Sequence, residues 1–465
     1  MTSDRHLAID NLRAVFGDRL STGNSVRDLH GRDASRFEVA LPDAVVFPET
    51  TAEVARIVSI CAEHACPIVP FGIGSSLEGH VIPVHGGVSV DTSRMNRVLD
   101  VQPENLCAVV QPGVTREQLA AELRATGLMF TVDPGANATI GGMAATRASG
   151  TNTVRYGTMA DTVLALEVVT ADGRVIRTGT QARKSSSGYD LTRLFVGSEG
   201  TLGIMTELTV RLFGQPEHIA AATCHFDSIQ AAVQTVISTI QCGIPVARAE
   251  FLDEVQMRGM NQYDPVLNLP EKPHLFLEFH GTETSVAEDV ARFREIAQDL
   301  GVHDFAFATK TEDRNRLWKV RHEAYFAARG LRPGAVPLIT DCCVPLAALT
   351  DCVQRARDLA DRYGLLAPMA GHVGDGNFHM GVLIDPKDTA EVAAAHDLVG
   401  QLNELALELG GTISGEHGIG MGKIPYMAAQ HGDAYDVMAQ LKQAFDPQNL
   451  FNPGKIFAVD DQVTG

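Results

Sequence analysis

Cysteine is sparse and unpatterned in this sequence. The eight present (Cys61, Cys66, Cys107, Cys224, Cys242, Cys342, Cys343 and Cys352) include no CxxC pair, which excludes a thiolate zinc site and an iron–sulfur cluster of ferredoxin spacing. In 465 residues they are also too few for a disulfide scaffold. Electrons, if this chain handles them, sit on an organic cofactor or on another subunit. Adjacent Cys342 and Cys343 point to opposite sides of an extended segment and read as packing residues. Basic residues are in short supply as well: 38 Lys and Arg stand against 57 Asp and Glu, a formal net charge of −19. Such a surface repels phosphate backbones and anionic headgroups, so nucleic acid is set aside as a partner and an anion needs a local basic pocket. No run of about 18 apolar residues is present to form a transmembrane segment. The opening MTSDRHLAID carries no apolar signal core, so the expected location is the cytoplasm, with peripheral contact at the inner membrane left open.

What is present is ordinary globular material, 45% hydrophobic and 20% charged. At roughly 150 residues per domain the length predicts two or three domains. Val54, Ile57, Val58 and Cys61 recur at helical spacing over Thr51–His64, and PIVPFG then reads as a buried strand entering a glycine turn. GVSVD near Val88 and LCAVVQPG near Val109 read as strands, while Thr115 and Gly127 bracket a helix. Asp172-Gly173 between two β-rich runs predicts a hairpin within Asp161–Gly179. Around Gln215-Pro216 the glycine-dense region ends. Beyond it, strand-like TCHF, ARAEF and HLFLEFH alternate with helices over Asp227–Cys242 and Thr284–Leu300, the pattern of an antiparallel sheet backed by helices. The fold class is α+β, not doubly wound, with boundaries at 1–215, 216–440 and 441–465; FDPQNLFNPGKIF in the last segment reads as an ordered loop docking back on the first domain.

The loop Pro70-Phe71-Gly72-Ile73-Gly74-Ser75-Ser76-Leu77-Glu78-Gly79 offers backbone N–H groups and hydroxyls suited to a phosphate, though a plain tight turn fits it equally. Its spacing is not GxGxxG, which disfavours a nicotinamide Rossmann fold. Three further clusters change the weighing: Val132-Asp133-Pro134-Gly135 with Thr139-Ile140-Gly141-Gly142, Ala148-Ser149-Gly150 with Arg155-Tyr156-Gly157, and Gly197-Ser198-Glu199-Gly200-Thr201-Leu202-Gly203-Ile204. Four clusters within roughly 130 residues point to a backbone lining one long ligand, which glycine lets approach closely.

The sharpest local motif is His372-Val373-Gly374-Asp375-Gly376-Asn377-Phe378-His379. If Asp375-Gly376 are the two central residues of a hairpin turn, His372 faces His379 and both imidazoles can reach one ion. A structural histidine pair has the same geometry. Ser414-Gly415-Glu416-His417-Gly418-Ile419-Gly420 adds a carboxylate and an imidazole, or else is a polar surface turn. Two histidines and one carboxylate leave open positions on a divalent ion. In the helix-like Trp318-Lys319-Val320-Arg321-His322-Glu323-Ala324-Tyr325, Arg321 can fork two N–H donors onto a carboxylate, or is simply an exposed helix charge paired with Glu323 or another neighbour.

In combination these motifs, over about Val45 to Phe457, resemble the FAD-dependent D-2-hydroxyacid dehydrogenases, whose FAD domain is of the vanillyl-alcohol-oxidase type. The resemblance implies a two-part FAD-binding domain over 1–215, an antiparallel-sheet substrate and metal domain over 216–440, and a closing segment over 441–465. It implies that Gly72, Gly74, Ser75 and Ser76, flanked by Pro70 and Leu77, hold the FAD pyrophosphate, and that Pro134, Gly135, Thr139, Gly142, Ser149, Asn152, Tyr156 and Gly157 line the flavin. Glu199, Gly203 and Ile204 would sit by the adenosine half and ribityl chain, with Asn452 near the isoalloxazine. The first loop has no His before His80, so noncovalent FAD is expected. By the same resemblance His372, His379 and Glu416 bind zinc or manganese, His417 is the catalytic base and Arg321 binds the substrate carboxylate; Tyr325, one turn later by helical spacing, is placed to close the pocket. Where the 2-hydroxyglutarate branch has an Asn two residues past the second metal His, this chain has Gly381; this and the Thr340-Asp341-Cys342-Cys343-Val344-Pro345-Leu346 segment look more like the D-lactate branch. The expected reaction is D-lactate to pyruvate with a separate electron acceptor: a cytochrome, a quinone or an electron-transferring flavoprotein. Glycolate differs by one methyl, worth only about 1–3 kcal/mol in a pocket. The flavin subunit of a glycolate-oxidising complex, a D-2-hydroxyglutarate dehydrogenase and a non-catalytic flavin or metal-binding protein are the alternatives.

Overall fold

The computed structural model describes residues 4–458. The final residues of the expected closing segment, 459–465, lie outside them. The chain divides into two units: one comprises the chain up to Ser149, Gly157–Gln215 and everything from Glu416, the other Gly150–Tyr156 with Pro216–Gly415. The return to the first unit thus comes at Glu416, earlier than residue 441. Both units mix helices with sheet, and most strand pairs are antiparallel, an α+β architecture.

The first unit contains a four-stranded sheet in the order Leu20–Ser21, Ala44–Val46, Val88–Asp91, Ile68–Phe71, whose last three strands run parallel. Parallel strands need a crossover, and the helix Thr51–Glu63 provides it. Thr50 caps that helix by accepting from Glu53 N, and the periodic Val54, Ile57, Val58 and Cys61 are its buried face. They share a core with Ile68, Val88, Val90 and, from the C-terminal segment, Leu450 and Phe451. Backbone bonds from Ile68 N to Leu450 O (2.8 Å) and from Asn452 N to Ile68 O (2.7 Å) seat that segment. A second, five-stranded sheet runs Val98–Gln102, Cys107–Val110, Ile204–Arg211, Val163–Val169, Val175–Gly179. Its last pair is the hairpin expected at Asp172-Gly173, closed by Thr170 N donating to Arg174 O at 3.0 Å, with Gly173 at φ 79°. The helix expected over Thr115–Gly127 is shorter, Arg116–Glu122, though Thr115 does cap it.

The second unit is built on one large antiparallel sheet, in the order His303–Ala308, His218–His225, His274–Gly281, Val246–Leu252, Met369–Gly371, Asn377–Ile384, Val336–Ile339. Alternation along the strands divides its residues cleanly. Ala249, Phe251, Leu275, Leu277 and Phe279 enter one apolar core with Val233, Val236, Phe293, Val353, Ala356, Leu398 and Leu402 of the backing helices. On the opposite face Arg248 pairs with Glu278 and Glu250 with Phe276, while His280, Ala370 and His379 fall in the same set. The helix Thr311–His322 covers part of this face through Trp318 and Val320, packed with Leu252 and Phe276.

One buried cation in the first unit makes the docking of the C-terminal segment testable. Lys455 is fully buried and its Nζ donates to Ile82 O at 2.8 Å. Burial pushes its ammonium down from the ordinary 10.5 to about 8, although Glu199 and Asp33 oppose the fall. The folded state therefore binds fewer protons than the unfolded one between these values; the contribution is present above 10.5 and is lost as pH falls through about 8. The stability of the native chain relative to Lys455→Met should rise by about 3 kcal/mol from pH 8 to 10.5. Urea midpoints measured across this range check it; a gap independent of pH contradicts the buried amine.

Candidate active site

In the first unit the glycine loops converge. Pro70 lies near the end of a parallel strand, and the Gly72–Gly79 loop follows directly. A Cβ on Gly72 would lie 2.6 Å from Thr139 Oγ1, and one on Gly142 would lie 3.0 Å from the same atom, so two sequence-distant clusters meet at one hydroxyl. Thr139 also caps the helix Ile140–Thr146, accepting from Gly142 N at 3.3 Å. Ser75 and Leu77 are half-buried, and Ser76 Oγ donates to Asp33 Oδ2 at 2.9 Å. Pro134 and Gly135 lead into Thr139, and a Cβ on Gly135 would meet nothing within 4 Å. Gly157 adopts φ 82° against Asp161. Gly203 packs on Val168, and the Ile204 side chain enters the core beside Val169, so the side chain of Ile204 is spent on packing.

Glu199 is the hub of this region. It is buried, holds a left-handed φ of 53°, and its two oxygens accept from Ile419 N (2.7 Å) and Gly420 N (2.8 Å). His80 Nε2 lies 3.3 Å from the same carboxylate. Burial works against charge on both groups, yet their pairing prevails: the imidazole is raised above its ordinary value and the carboxyl held below its own. Asn452 Nδ2 donates to His80 O (2.9 Å) and Glu199 O (2.8 Å), tying in the C-terminal segment. Ser149 Oγ donates to Glu416 Oε2 at 2.5 Å, and His417, half-buried, lies between Glu416 and the stretch Glu199 grips. Ser198 Oγ, Asn452 Oδ1 and His80 Nδ1 are buried without a hydrogen-bond partner among the described residues. Orphaned polar atoms beside glycine loops that pack around one hydroxyl fit a long, polar, phosphate-bearing ligand such as FAD.

In the second unit the histidine hairpin differs from the expected register. Ala370, not His372, stands opposite His379, and the turn is the five-residue stretch from His372 to Gly376. The turn is pulled wide by outside bonds: Gly374 N donates to Ala249 O and Val344 N to Gly376 O, where a Cβ on Gly376 would lie 2.1 Å from Val344 O. His372 still falls on the face of His379, because two residues along a strand restore the side. The rings are 5.5 Å apart, edge to face, with ligand nitrogens within 4.8 Å of each other.

Each imidazole is held at Nδ1. That of His372 donates to Glu250 Oε1 at 2.7 Å, while that of His379 lies 3.2 Å from Thr340 O and 3.5 Å from Asp341 Oδ1. Asp341 is itself fixed by Asn377 Nδ2 (3.0 Å) and Ser414 Oγ (2.8 Å). Histidines oriented by a carboxylate or carbonyl at one nitrogen present the other to a metal, so this donor set fits a divalent ion. Gly415 packs on Asn377 and Asp341, and Glu416 follows it in the chain.

Arg321 does not pair with Glu323, which takes Lys319 at 3.7 Å; its Nε donates to Glu250 Oε2 at 2.7 Å. Its Nη1 and Nη2 make no hydrogen bond among the described residues. The helix expected across Trp318–Tyr325 is two helices meeting at Glu323, so Tyr325 is not one turn above Arg321 on a continuous helix, and it is 42% exposed. Asn152 and Tyr156 fall in this unit: Asn152 Oδ1 accepts from Arg248 Nε (2.9 Å), and the Tyr156 hydroxyl is 2.8 Å from His280 Nδ1, whose Nε2 bonds Glu278 (2.7 Å). Sequence reasoning missed Glu250, Asp341, Glu278 and His280. The signal for the first was a charged Arg248-x-Glu250 pair inside an otherwise apolar strand.

Glycine is required at 418, where φ is 83° and a Cβ would lie 2.6 Å from His80 Nε2 and 2.7 Å from Glu199 Oε1. Gly418→Ala should cost about 1–3 kcal/mol in strain and lower both melting temperature and flavin retention. Gly381→Ala, whose Cβ meets nothing within 4 Å, is the neutral control. Equal melting curves for the two variants would remove the clamp.

Residues 42–179 match the FAD binding domain family, and residues 215–456 match the family of FAD linked oxidases, C-terminal domain. The probable mitochondrial D-lactate dehydrogenase of Danio rerio is 47% identical over 461 residues, covering 98% of this chain and 93% of that one. The mitochondrial D-lactate dehydrogenase [cytochrome] of Arabidopsis thaliana is 42% identical (96% and 79% covered), and the glycolate oxidase subunit GlcD of Bacillus subtilis 37% (95% and 95%). Among solved structures, p-cresol methylhydroxylase with substrate bound is similar with a TM-score of 0.79 at 19% identity, covering 97% of each chain, a likeness of fold.

Proposed function

The chain belongs to the FAD-linked oxidases, as a flavin-dependent oxidoreductase acting on CH–OH groups, and we propose that its substrate is a D-2-hydroxy acid, D-lactate before others, oxidised with the help of a divalent metal ion. The observation that carries this reading is the chain of contacts Arg321–Glu250–His372, which puts a guanidinium and a metal-type histidine on one buried carboxylate.

When bound, FAD supplies the hydride acceptor and the ion a Lewis acid for the substrate hydroxyl. His372, His379 and Glu416 are the residues to hold zinc or manganese. Glycine loops around Gly72 and Gly142, with Asn452, hold FAD, noncovalently since residues 70–79 contain no histidine. Arg321 binds the substrate carboxylate: with Nε committed to Glu250, the Nη1/Nη2 edge is the fork that carboxylates match. His417 takes the hydroxyl proton, a role suited to an imidazole whose reference pKa is about 6.5. Gly381, two residues beyond His379 on the same face, contributes no polar side chain and leaves open space, in keeping with a small acid carrying one carboxylate. Glycolate is the second substrate reading, favoured by that same absence of contacts. Electrons then pass to a separate acceptor, a cytochrome, quinone or electron-transferring flavoprotein, in a cytoplasmic setting. No helix among the described residues is long and apolar enough to cross a membrane.

Anaerobic mixing with D-lactate, L-lactate, glycolate and D-2-hydroxyglutarate is the decisive experiment. D-lactate should bleach the flavin, and chelation should abolish the bleaching; flavin that no acid reduces overturns the substrate assignment and leaves a binding protein. His417→Ala should retain flavin yet lose about 10²–10⁴-fold in turnover. Arg321→Lys should raise KM by about tenfold or more, because hydrogen bonds to charged groups are worth about 1.5–3 kcal/mol. Acid precipitation should release FAD into the supernatant; flavin left on the pellet would show a covalent link.

A further inference from the structure

Glu250 occupies a position that the chemistry above does not by itself demand. It lies mid-strand in Val246–Leu252, between Ala249 and Phe251 of the apolar core, and its side chain is fully buried. A carboxylate in such a place needs a donor for each oxygen. It has two, from distant segments: His372 Nδ1 on Oε1 and Arg321 Nε on Oε2, each at 2.7 Å.

The geometry of these bonds bears on what Glu250 does. An arginine and a carboxylate that merely neutralise each other commonly pair fork to fork through two parallel bonds. Here only Nε is used and the second oxygen goes to an imidazole, so the carboxylate sets the plane of the guanidinium while leaving its end for another anion. On the other side, bonding Nδ1–H fixes the tautomer and ring plane of His372 and assigns Nε2 to the ion.

We infer that Glu250 is a positioning residue that couples the two halves of the site: one rigid carboxylate orients both the metal-binding His372 and the carboxylate-binding Arg321, so that metal affinity and substrate affinity depend on each other. This rests on the reading of His372 and Arg321 given above. The coupling is reciprocal, as linkage between binding free energies requires.

Glu250→Gln tests it, because an amide has one acceptor oxygen and its NH2 faces one of the two donors with a donor. On the FAD-loaded protein, calorimetric titration with Zn(II) and with Mn(II) should show affinity lowered by about 10–100-fold, the range for loss of a group that orients a metal ligand. KM for D-lactate should rise together with it, flavin content staying constant. Arg321→Lys should weaken metal binding when Glu250 is intact and add nothing in the Glu250→Gln background. If Glu250→Gln fails to fold, Arg321→Lys in the native background carries the test alone, read as metal affinity. Unchanged metal affinity in both single variants, with the native protein binding metal, overturns the coupling only. A native protein that binds neither ion overturns the coupling together with the metal assignment.

Discussion

Removing a carboxylate from water costs several kcal/mol unless both oxygens meet donors, and among the carboxylates that each unit buries, one in each ties together segments far apart in sequence. In the first unit Glu199 receives two consecutive backbone N–H groups and an imidazole; in the second Glu250 receives an imidazole and a guanidinium. Both carboxyls are held below their ordinary range despite burial, because their partners outweigh desolvation. The consequence is rigidity: a loop or ring held by a buried charge cannot leave without exposing that charge unpaired. What each carboxylate holds is thereby fixed in place, the backbone at Ile419-Gly420 in one case and the His372 ring in the other.

The left-handed backbone at Glu199 shows what this arrangement requires. A non-glycine residue at φ 53° is strained, and it sits between Gly197 and Gly200, themselves at φ 89° and 70°. The surrounding glycines absorb the tight path while Glu199 supplies the charge. Gly418 completes the fit from the other side, its missing Cβ making room for His80 and the carboxylate. The glycine clusters therefore serve two ends, making space for a ligand and letting the chain pass close to its own buried ion pair.

These facts explain which parts were legible in the sequence. Short-range signals read well: Thr115 as a cap, the periodic Val54, Ile57, Val58 and Cys61, the Asp172-Gly173 hairpin and the strands of the large sheet. Each depends on neighbours a few residues away. The hairpin register at His372–His379 did not, because its turn is set by Ala249 and Val344, far off in sequence. The division of Trp318–Tyr325 into two helices carries no proline or glycine to announce it. Glu250 escaped for a deeper reason: in a linear reading it is one charge in an apolar strand, and its meaning appears only when His372 and Arg321, 122 and 71 residues away, are brought to it.

The acidic surface gives the buried cations their significance. With 57 acidic against 38 basic residues, the chain repels an anionic substrate at long range, and screening shortens that repulsion to a Debye length of about 8 Å at physiological salt. Binding a small 2-hydroxy acid then depends on cationic groups that are local and desolvated, where Coulomb attraction is several times its value in water. Arg321 meets that condition because Glu250 holds it on the polar face without consuming its Nη donors. Arg248, two residues before Glu250 and so on the same face, is occupied differently: it bonds Asn152, lies 3.7 Å from Glu278 and stacks 4.7 Å over the Trp318 ring. Arg248 is thus spent on contacts within the unit, while the Arg321 Nη donors make no hydrogen bond among the described residues, the difference on which the proposed carboxylate site rests.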